Sequence, residues 1–345
     1  MTSHLILTIA RILTAASILS VLGRQNPSGL PDADRTRIGE AIRLAALVGN
    51  RIWPDWEKAP FAILLITSEH EFLVRHPNPS NDFVSIGEDS VLKEIVWFRK
   101  RQFSPNLLAT FPAVGGVPTI VIGQPQNTDA RTSARWVITL LHEHFHQLQN
   151  SQPGYYAGVE SLGLSRGDQT GIWMLNYAFP YEAAEAKNHF AAMCRSLLNA
   201  MRARNGDDLI SKTAAYVHAK KRFKSLLTSD DYKYFTFQLW QEGIARYTEC
   251  KVAEMAARFK PSREFHSLND STSFKAEATR IRRDIEHELG TVQLDRAKRT
   301  AFYAVGAAEG LLLDRMNPGW RERYFKDRFS LDGHFANMIP LEWAD

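Results

Sequence analysis

A chain of 345 residues that is 44% apolar and 11% aromatic can bury one large core or two modest lobes, so it needs no disulfide or metal to fold. The formal net charge of +4, from 42 basic and 38 acidic residues, is too small to argue for a nucleic-acid partner. The two cysteines, Cys194 and Cys250, predict buried free thiols, because a disulfide cannot be argued from sequence alone. Composition favours a soluble enzyme without specifying its reaction.

The N-terminal segment leaves two alternatives open. Residues 5 to 23 are apolar except for Arg11 and scattered hydroxyl side chains. Within a first region of residues 1 to 30, this segment predicts either a secretory signal peptide or an amphipathic N-terminal helix. The first alternative predicts a periplasmic or secreted protein, and the second a cytoplasmic one. Arg11 interrupts the apolar run and leaves it too short for a membrane span, so we expect no integral membrane domain.

Residues 31 to 150 predict a small α/β lobe. Apolar residues recur at helical spacing over residues 32 to 51. A continuous apolar run over residues 61 to 67 predicts a buried strand, and residues 71 to 75 can pair with it as a hairpin. A further strand over residues 117 to 123 precedes the helix that ends this lobe.

The most informative motif of the chain is an H-E-x-x-H pattern, which reads His142-Glu143-His144-Phe145-His146. Residues four apart stand one above the other on a helix, so His142 and His146 can offer two imidazole nitrogens to one metal ion. Glu143, beside the first histidine, can take the proton of a water held at that ion. The pattern predicts half of a zinc site together with its general base.

A buried helix whose histidines bind only to neighbouring side chains is the alternative explanation of this motif. One stripe of the helix is apolar and predicts a core-facing seam, formed by Val137, Leu141, Phe145 and Leu148. His142 and His146 lie on a second stripe that can face a cleft. Several imidazoles half inside a core are costly unless something pairs with them, and a divalent cation would do so.

A zinc ion needs a third protein ligand. Three carboxylates come next along the chain without a segment built around them: Glu160, Glu182 and Glu185. Glu242, in contrast, lies within a predicted helix between residues 232 and 259. Its neighbour Gly243 costs a helix interior roughly 1 kcal/mol relative to alanine, which predicts a close helix approach or access to the metal at this point.

Two motifs together resemble the gluzincin branch of the zinc metallopeptidases, peptidase clan MA: His142-Glu143-His144-Phe145-His146 and Glu242-Gly243-Ile244-Ala245-Arg246-Tyr247. The resemblance implies Zn²⁺ held by His142, His146 and Glu242, with Glu143 as the catalytic base. It also implies a zincin-like arrangement in which the metal lies between a small α/β lobe and a helical lobe.

Spacing separates the chain from other zinc peptidases. A metzincin is excluded, because Gln149 and Gln152 stand where that class has glycine and histidine. Between His146 and Glu242 lie 95 residues, about five times the separation in familiar gluzincins. The resemblance therefore requires an inserted helical segment.

Residues 151 to 345 predict a helical lobe that carries the third ligand. Its long helices are expected over residues 182 to 204, 208 to 227, 232 to 259, 272 to 289 and 296 to 315. A turn at residues 317 to 319 precedes a short terminal helix. The basic cluster Lys220 to Lys224 predicts a solvated helix face. The fold class is therefore α+β and predominantly helical.

Several residues are candidates for supporting roles. By the same resemblance, Tyr303 is the candidate for stabilising the oxyanion, because gluzincins use a tyrosine or histidine of a later helix for this purpose. Arg246 and Glu249 share nearly one helix face with Glu242 and can orient the ligands, although an intrahelical ion pair explains them as well. Residues 117 to 123 are the candidate for the edge strand that holds the substrate backbone, with an ordinary internal strand as the alternative.

The motifs lead to a zinc-dependent peptide hydrolase acting on a peptide or protein substrate. A non-catalytic zincin-like domain that binds a metal or a partner is one alternative. A zinc hydrolase of a non-peptide amide or ester is another, because the H-E-x-x-H motif serves that chemistry equally well.

Overall fold

The computed structural model describes residue 27, residues 29 to 168 and residues 170 to 336. The fold is α+β with about 57% helix and one six-stranded mixed sheet, which confirms the predicted fold class. The predicted signal peptide or N-terminal helix, residues 1 to 23, lies outside the described residues. In the described part of the chain, no helix is both long and apolar enough to cross a membrane.

The strands precede the motif helix in the chain. They are β1 (Ile63–Ile66), β2 (His70–Val74), β3 (Val84–Glu88), β4 (Ile95–Lys100), β5 (Leu108–Val114) and β6 (Val117–Gly123). Their order in the sheet is β3-β4-β2-β1-β6-β5. The pair β1 and β6 is parallel, and all other pairs are antiparallel. The predicted hairpin of β1 and β2 is confirmed.

The sheet is apolar on both faces, which explains the unbroken apolar run of β1. Ile63 and Leu65 face the main core beneath the helices, whereas Leu64 and Ile66 face a second apolar cluster on the other side. That second cluster is completed by Phe83 from the loop before β3. A strand buried on both faces carries apolar residues at every position rather than at alternate ones.

The structure decides between the two alternatives for residues 117 to 123 in favour of the ordinary internal strand. Strand β6, Val117–Gly123, is internal, because it pairs with β1 on one side and with β5 on the other. It has no free edge for a substrate backbone, and the strand at that edge of the sheet is β5. Strands β3, β4 and β5 have no counterpart among the predicted elements, since their burial is irregular and none shows a clean apolar alternation.

The long helices follow the predicted periodicity to within a few residues. They are α1 (Asp32–Ile52), α2 (Ser133–Asn150), α5 (Ala184–Met201), α6 (Asp207–Ser225), α7 (Ser229–Gln238), α8 (Ile244–Ala256), α10 (Phe274–Thr291) and α12 (Ala301–Met316). The short helices are α3 (Tyr155–Ser161), α4 (Trp173–Asn176), α9 (Arg263–His266), α11 (Leu294–Ala297), α13 (Trp320–Tyr324) and α14 (Asp332–Ala336).

Helix α2 carries the H-E-x-x-H motif and is fixed to the sheet by two polar side chains. The indole Nε1 of Trp136 donates to the carbonyl oxygen of Gly123 over 2.8 Å. The amide of Gln147 donates to the carbonyl oxygens of Ala62 and Pro118, at 2.9 and 2.8 Å. The predicted apolar seam of α2 is fully buried. These contacts fix both the rotation and the height of α2 above the sheet.

The predicted helix over residues 232 to 259 is interrupted. One π-helical turn, Leu239–Gly243, joins α7 to α8 and contains Glu242. A Cβ added at Gly243 would lie 2.5 Å from the Cα of Gly306 in α12. The expected close helix approach at Gly243 is confirmed, and its partner is a second glycine. π-Turns inside helices frequently occur at functional sites.

Two further expectations concern buried groups. Cys194 and Cys250 are buried free thiols, as predicted. The basic cluster Lys220 to Lys224 is exposed at Lys221, Arg222 and Lys224, as predicted. The prediction is wrong for Lys220, whose side chain is buried with its Nζ 2.6 Å from Glu309 and 2.7 Å from Asp332. The carboxylate partners come from distant elements, which is why the local charge pattern does not show them.

Candidate metal centre

The two motif histidines face each other on α2. Their Nε2 atoms lie 3.1 Å apart, and the side chains of His142 and His146 are only 10% and 8% exposed. A spacing of four residues on a helix places the imidazoles one above the other, as the sequence predicts. Both nitrogens open onto the same small space between α2 and the π turn.

Glu242 reaches this space from the π turn. Its Oε2 lies 3.9 Å from the Nε2 of His142 and 3.6 Å from the Nε2 of His146, and its side chain is 21% exposed. A tetrahedral zinc ion with bonds of about 2.1 Å holds its ligand atoms about 3.4 Å apart. The three observed separations bracket that value, so this donor set fits a zinc ion, and the exposed fraction leaves a path for solvent.

Glu143 offers a second carboxylate to the same space. One ligand atom each of His142, Glu143 and His146 lies within 4.8 Å of the others, so Glu143 is an alternative third ligand on distance alone. The Oε2 of Glu242 lies within 4.0 Å of a nitrogen of both imidazoles, whereas no Glu143 oxygen lies within 4.0 Å of either. The carboxylate of Glu143 instead accepts a hydrogen bond of 2.8 Å from the Thr110 hydroxyl of β5, which holds it beside the histidines.

Each histidine is oriented through its Nδ1 atom. The Nδ1 of His146 lies 2.7 Å from the Oε1 of Gln149 and 3.1 Å from the Nε2 of Gln241, so two glutamine side chains hold this edge of the ring and its Nε2 points towards Glu242. The Oε1 of Glu249 lies 2.7 Å from the Nδ1 of His142, although this close contact does not have the geometry of a hydrogen bond. Of the predicted supporting pair, Glu249 reaches a histidine, whereas Arg246 pairs with Glu288 of α10.

The charges at this centre depend strongly on one another. Burial lowers the pKa of His146, but the Glu242 carboxylate outweighs this effect and raises the pKa to about 9. Burial raises the pKa of Glu242, and His146 in turn lowers it to about 2. Burial also raises the pKa of Glu249, yet the contact with His142 gives a net lowering. Three carboxylates thus surround two imidazoles, an arrangement that attracts a cation.

The third histidine of the motif has a different environment. The ring of His144 stacks on Phe61 with centroids 3.8 Å apart, and its Nδ1 lies 2.8 Å from the Oε1 of Gln147. Burial lowers the pKa of His144 to about 3, so the ring is neutral. His144 is a core side chain that links α2 to the sheet, and it does not face the metal centre.

Tyr303, the predicted oxyanion residue, lies at the centre. Its hydroxyl contacts the carboxylate of Glu242 and accepts a hydrogen bond from the Nη1 of Arg299. The approach of α12 at Gly306, one turn after Tyr303, brings this hydroxyl to the π turn. The structure therefore brings together all five predicted site residues: His142, Glu143, His146, Glu242 and Tyr303.

Other residues at the centre could not be identified from the sequence. Thr110 lies on a strand that carries no strand pattern, and a lone threonine gives no signal. Arg299 precedes the helix of Tyr303 by four residues, but nothing in the sequence distinguishes it from other arginines. Gln149 does stand on the same stripe as the two ligand histidines, and this position is the signal that could have identified its role.

No family model matches this chain, and comparisons with curated proteins and with solved structures also give no match.

Proposed function

We propose that this protein is a zinc-dependent peptide hydrolase of gluzincin type. The observation that carries the proposal is the meeting of His142, His146 and Glu242, whose facing atoms lie 3.1 to 3.9 Å apart. Two of these side chains come from α2 and the third from the π turn. Residues 147 to 241 lie between them in the chain, so local helix geometry alone does not explain their meeting.

The chemistry divides between the metal and the side chains. A zinc ion bound by His142, His146 and Glu242 would supply a Lewis acid that polarises the scissile carbonyl and lowers the pKa of water. Glu143 is placed to accept the proton of the attacking water and to pass it to the leaving amine. Thr110 orients the Glu143 carboxylate for this transfer. The Tyr303 hydroxyl can donate a hydrogen bond to the oxyanion that forms at the carbonyl.

Strand β5 supports a peptide as the substrate. It forms the outer strand of the sheet, next to β6, and its residue Thr110 touches Glu143. A peptide backbone that adds to this edge would run past the general base. The sheet edge and α2 on one side of the candidate centre, with the helices around Glu242 on the other, support the zincin-like lobes that we propose.

Metal analysis and peptide cleavage test the assignment with two variants and a control. Glu143→Gln should retain one zinc per chain and lower turnover by a factor of roughly 10² to 10⁴, the usual contribution of a general base. Glu242→Ala should lose the zinc itself. The exposed Glu185→Gln on α5 is the matched control and should change neither quantity.

The outcomes separate the alternatives. Equal zinc loss in both variants, or zinc loss in neither, would contradict the assigned roles. Zinc binding without cleavage of any peptide, amide or ester would identify a non-catalytic domain. Cleavage of esters or simple amides alone would identify a non-peptide hydrolase.

A further inference from the structure

Arg299 is a half-buried cation beside the metal centre. Its guanidinium donates to the hydroxyl of Tyr303, which in turn contacts Glu242. It is also close enough to Tyr234 and Tyr181 to affect both phenols electrostatically. Beside the candidate metal centre, the Arg299 guanidinium therefore lies among the phenol rings of three tyrosines.

This guanidinium has no carboxylate partner. Among the residues that the structure describes, none places a carboxylate oxygen within 4.0 Å of Arg299, whereas Arg246 and Arg280, which both act electrostatically on Glu249, each have a carboxylate partner. A guanidinium has five N–H donors in a planar fork that matches a carboxylate. Arg299 uses one of them on Tyr303, so the others remain for a ligand.

The backbone before Arg299 is strained. Lys298 has a φ of 50° and a ψ of −130°, a conformation that non-glycine residues rarely adopt. It begins the tight turn Lys298–Thr300 that leads into α12. Arg299 lies four residues before Tyr303 and contacts its hydroxyl. Backbone strain of this kind tends to persist at ligand-binding positions.

The separation between Arg299 and the ligand set limits the kind of substrate. Arg299 acts electrostatically on Glu242, and the Tyr303 hydroxyl contacts both groups, so the guanidinium and the carboxylate lie on the order of two hydrogen-bond lengths, roughly 6 Å, apart. One extended peptide residue spans about 3.3 to 3.6 Å. A carboxylate held by Arg299 would therefore lie one or two residues from a carbonyl at the metal centre.

Building on the proposed peptide hydrolase function, we infer that Arg299 binds the C-terminal carboxylate of the substrate and that the enzyme releases one or two residues from that end. The scissile amide bond would break with the addition of one water, whose hydroxyl forms the new carboxyl group and whose proton goes to the leaving amine. Arg299 takes no part in that exchange and only positions the chain end.

Binding to the metal-free full-length protein tests this inference without catalysis. Isothermal calorimetry would compare an N-acetylated hexapeptide with a free C-terminal carboxylate and the same peptide with a C-terminal amide. The free acid should bind at least roughly tenfold more tightly, as expected for a charge-assisted bidentate contact. Arg299→Gln should abolish the difference, and Arg299→Lys should keep only part of it, because a lysine lacks the planar fork.

Two controls keep the result specific. Arg296→Gln, an exposed arginine three residues earlier, should leave the preference intact. Thermal unfolding of each variant should show a single transition, so that loss of binding is not loss of fold. A C-terminal amide peptide with a glutamate near its end tests the other source of a carboxylate, and binding of this peptide equal to that of the free acid would overturn C-terminal recognition.

The cleavage products distinguish failure of this inference from failure of the proposed function. Mass spectrometry with the zinc-loaded protein should show release of one or two C-terminal residues from the free acid. Equal cleavage of acid and amide at internal bonds would reject the role of Arg299 and leave a peptide hydrolase. Absence of both zinc and cleavage would reject the hydrolase, while the calorimetric comparison would still decide whether Arg299 binds a carboxylate.

Discussion

Two clusters of buried charged side chains in this protein differ in the group that balances their carboxylates. At the metal centre, the carboxylates of Glu143, Glu242 and Glu249 surround two imidazoles. In the other cluster, which we call the lysine cluster, the Nζ of Lys220 lies 2.6 Å from Glu309 and 2.7 Å from Asp332. In the first cluster the group that balances the carboxylates is the imidazole of His146, and in the second it is the ammonium of Lys220.

In the lysine cluster, buried acidic side chains are neutralised by a lysine of the same chain. Burial raises the pKa of Glu309 despite the nearby Lys220, whereas Asp332, which is 38% exposed, has a lowered pKa. The ammonium of Lys220 thus lies between a carboxyl group with a raised pKa and one with a lowered pKa. Buried charges are otherwise too costly to keep. Among the described residues, no lysine forms an ion pair with Glu242 or Glu249, and this difference supports the proposed metal site.

Removal of the lysine should have the largest effect on folding. Lys220→Met leaves two carboxylates facing each other without their cation, and breaking a buried pair in this way costs about 3 to 5 kcal/mol. We expect this loss in the free energy of unfolding from urea titration, with an unchanged zinc content. Lys275→Met, at an exposed position of α10, should change stability by no more than about 0.5 kcal/mol. Equal effects of the two substitutions would show that the lysine cluster is not a stabilising unit.

Helix α12 joins the two clusters, because it carries both Tyr303 and Glu309. A Cβ at Gly306, between them, would lie 2.5 Å from the carbonyl oxygen of Leu239 and 2.7 Å from the Cα of Gly243. Gly306→Ala should therefore separate α12 from the π turn, lower stability by about 1 to 3 kcal/mol and weaken zinc binding. Calorimetric zinc titration and urea unfolding measure both. Gly319→Ala is the matched control, since its Cβ would meet nothing within 4 Å. Zinc affinity equal to wild type in Gly306→Ala would show that the crossing does not position Glu242.

The smallest expected effect is a pH dependence that separates the metal-free protein from the zinc-bound one. The pKa of His146 is raised from 6.5 to about 9, so its stabilising contribution is complete below pH 6.5 and is lost as the pH rises through 9. The pKa of Glu242 is lowered from 4.5 to about 2, so its contribution is present above pH 4.5 and is lost as the pH falls through 2.

The metal-free protein should accordingly show a Tm that falls by a few degrees between pH 6.5 and 9. Zinc competes with the proton of His146, so the rise in Tm on adding zinc should grow over the same interval. Differential scanning calorimetry with and without a chelator gives both curves. Glu242→Gln should flatten the metal-free curve, and a fall of the same size in that variant would assign the pH dependence to another group.

The sequence was informative where a feature depends on local spacing. The helical repeat of α2, the facing pair His142 and His146, and the glycine at a close approach all follow from short-range geometry. Glu242 was found because a second motif surrounds it.

Other features depend on contacts between distant segments, which spacing does not encode. The local charge pattern around Lys220 predicts a solvated side chain, because its partner Asp332 is far away in the sequence. Strand β5 has no strand pattern, so the sequence left open whether β6 is an edge or an internal strand and did not indicate the contact of Thr110 with Glu143. The π turn at Glu242 is a change in helix register, and the same residues would also fit an ordinary α-helix.

The separation of the ligands along the chain also determines when the metal centre can form. His142 and His146 lie on one helix, whereas residues 147 to 241 separate them from Glu242. Closing so long a loop is entropically unfavourable, and the packing of the helices must offset this cost. A growing chain on the ribosome would have made both histidines long before the helix of Tyr303 could support the glutamate. Zinc acquisition would then be a late step of maturation, and the presence of the metal would mark a chain whose helices have already assembled.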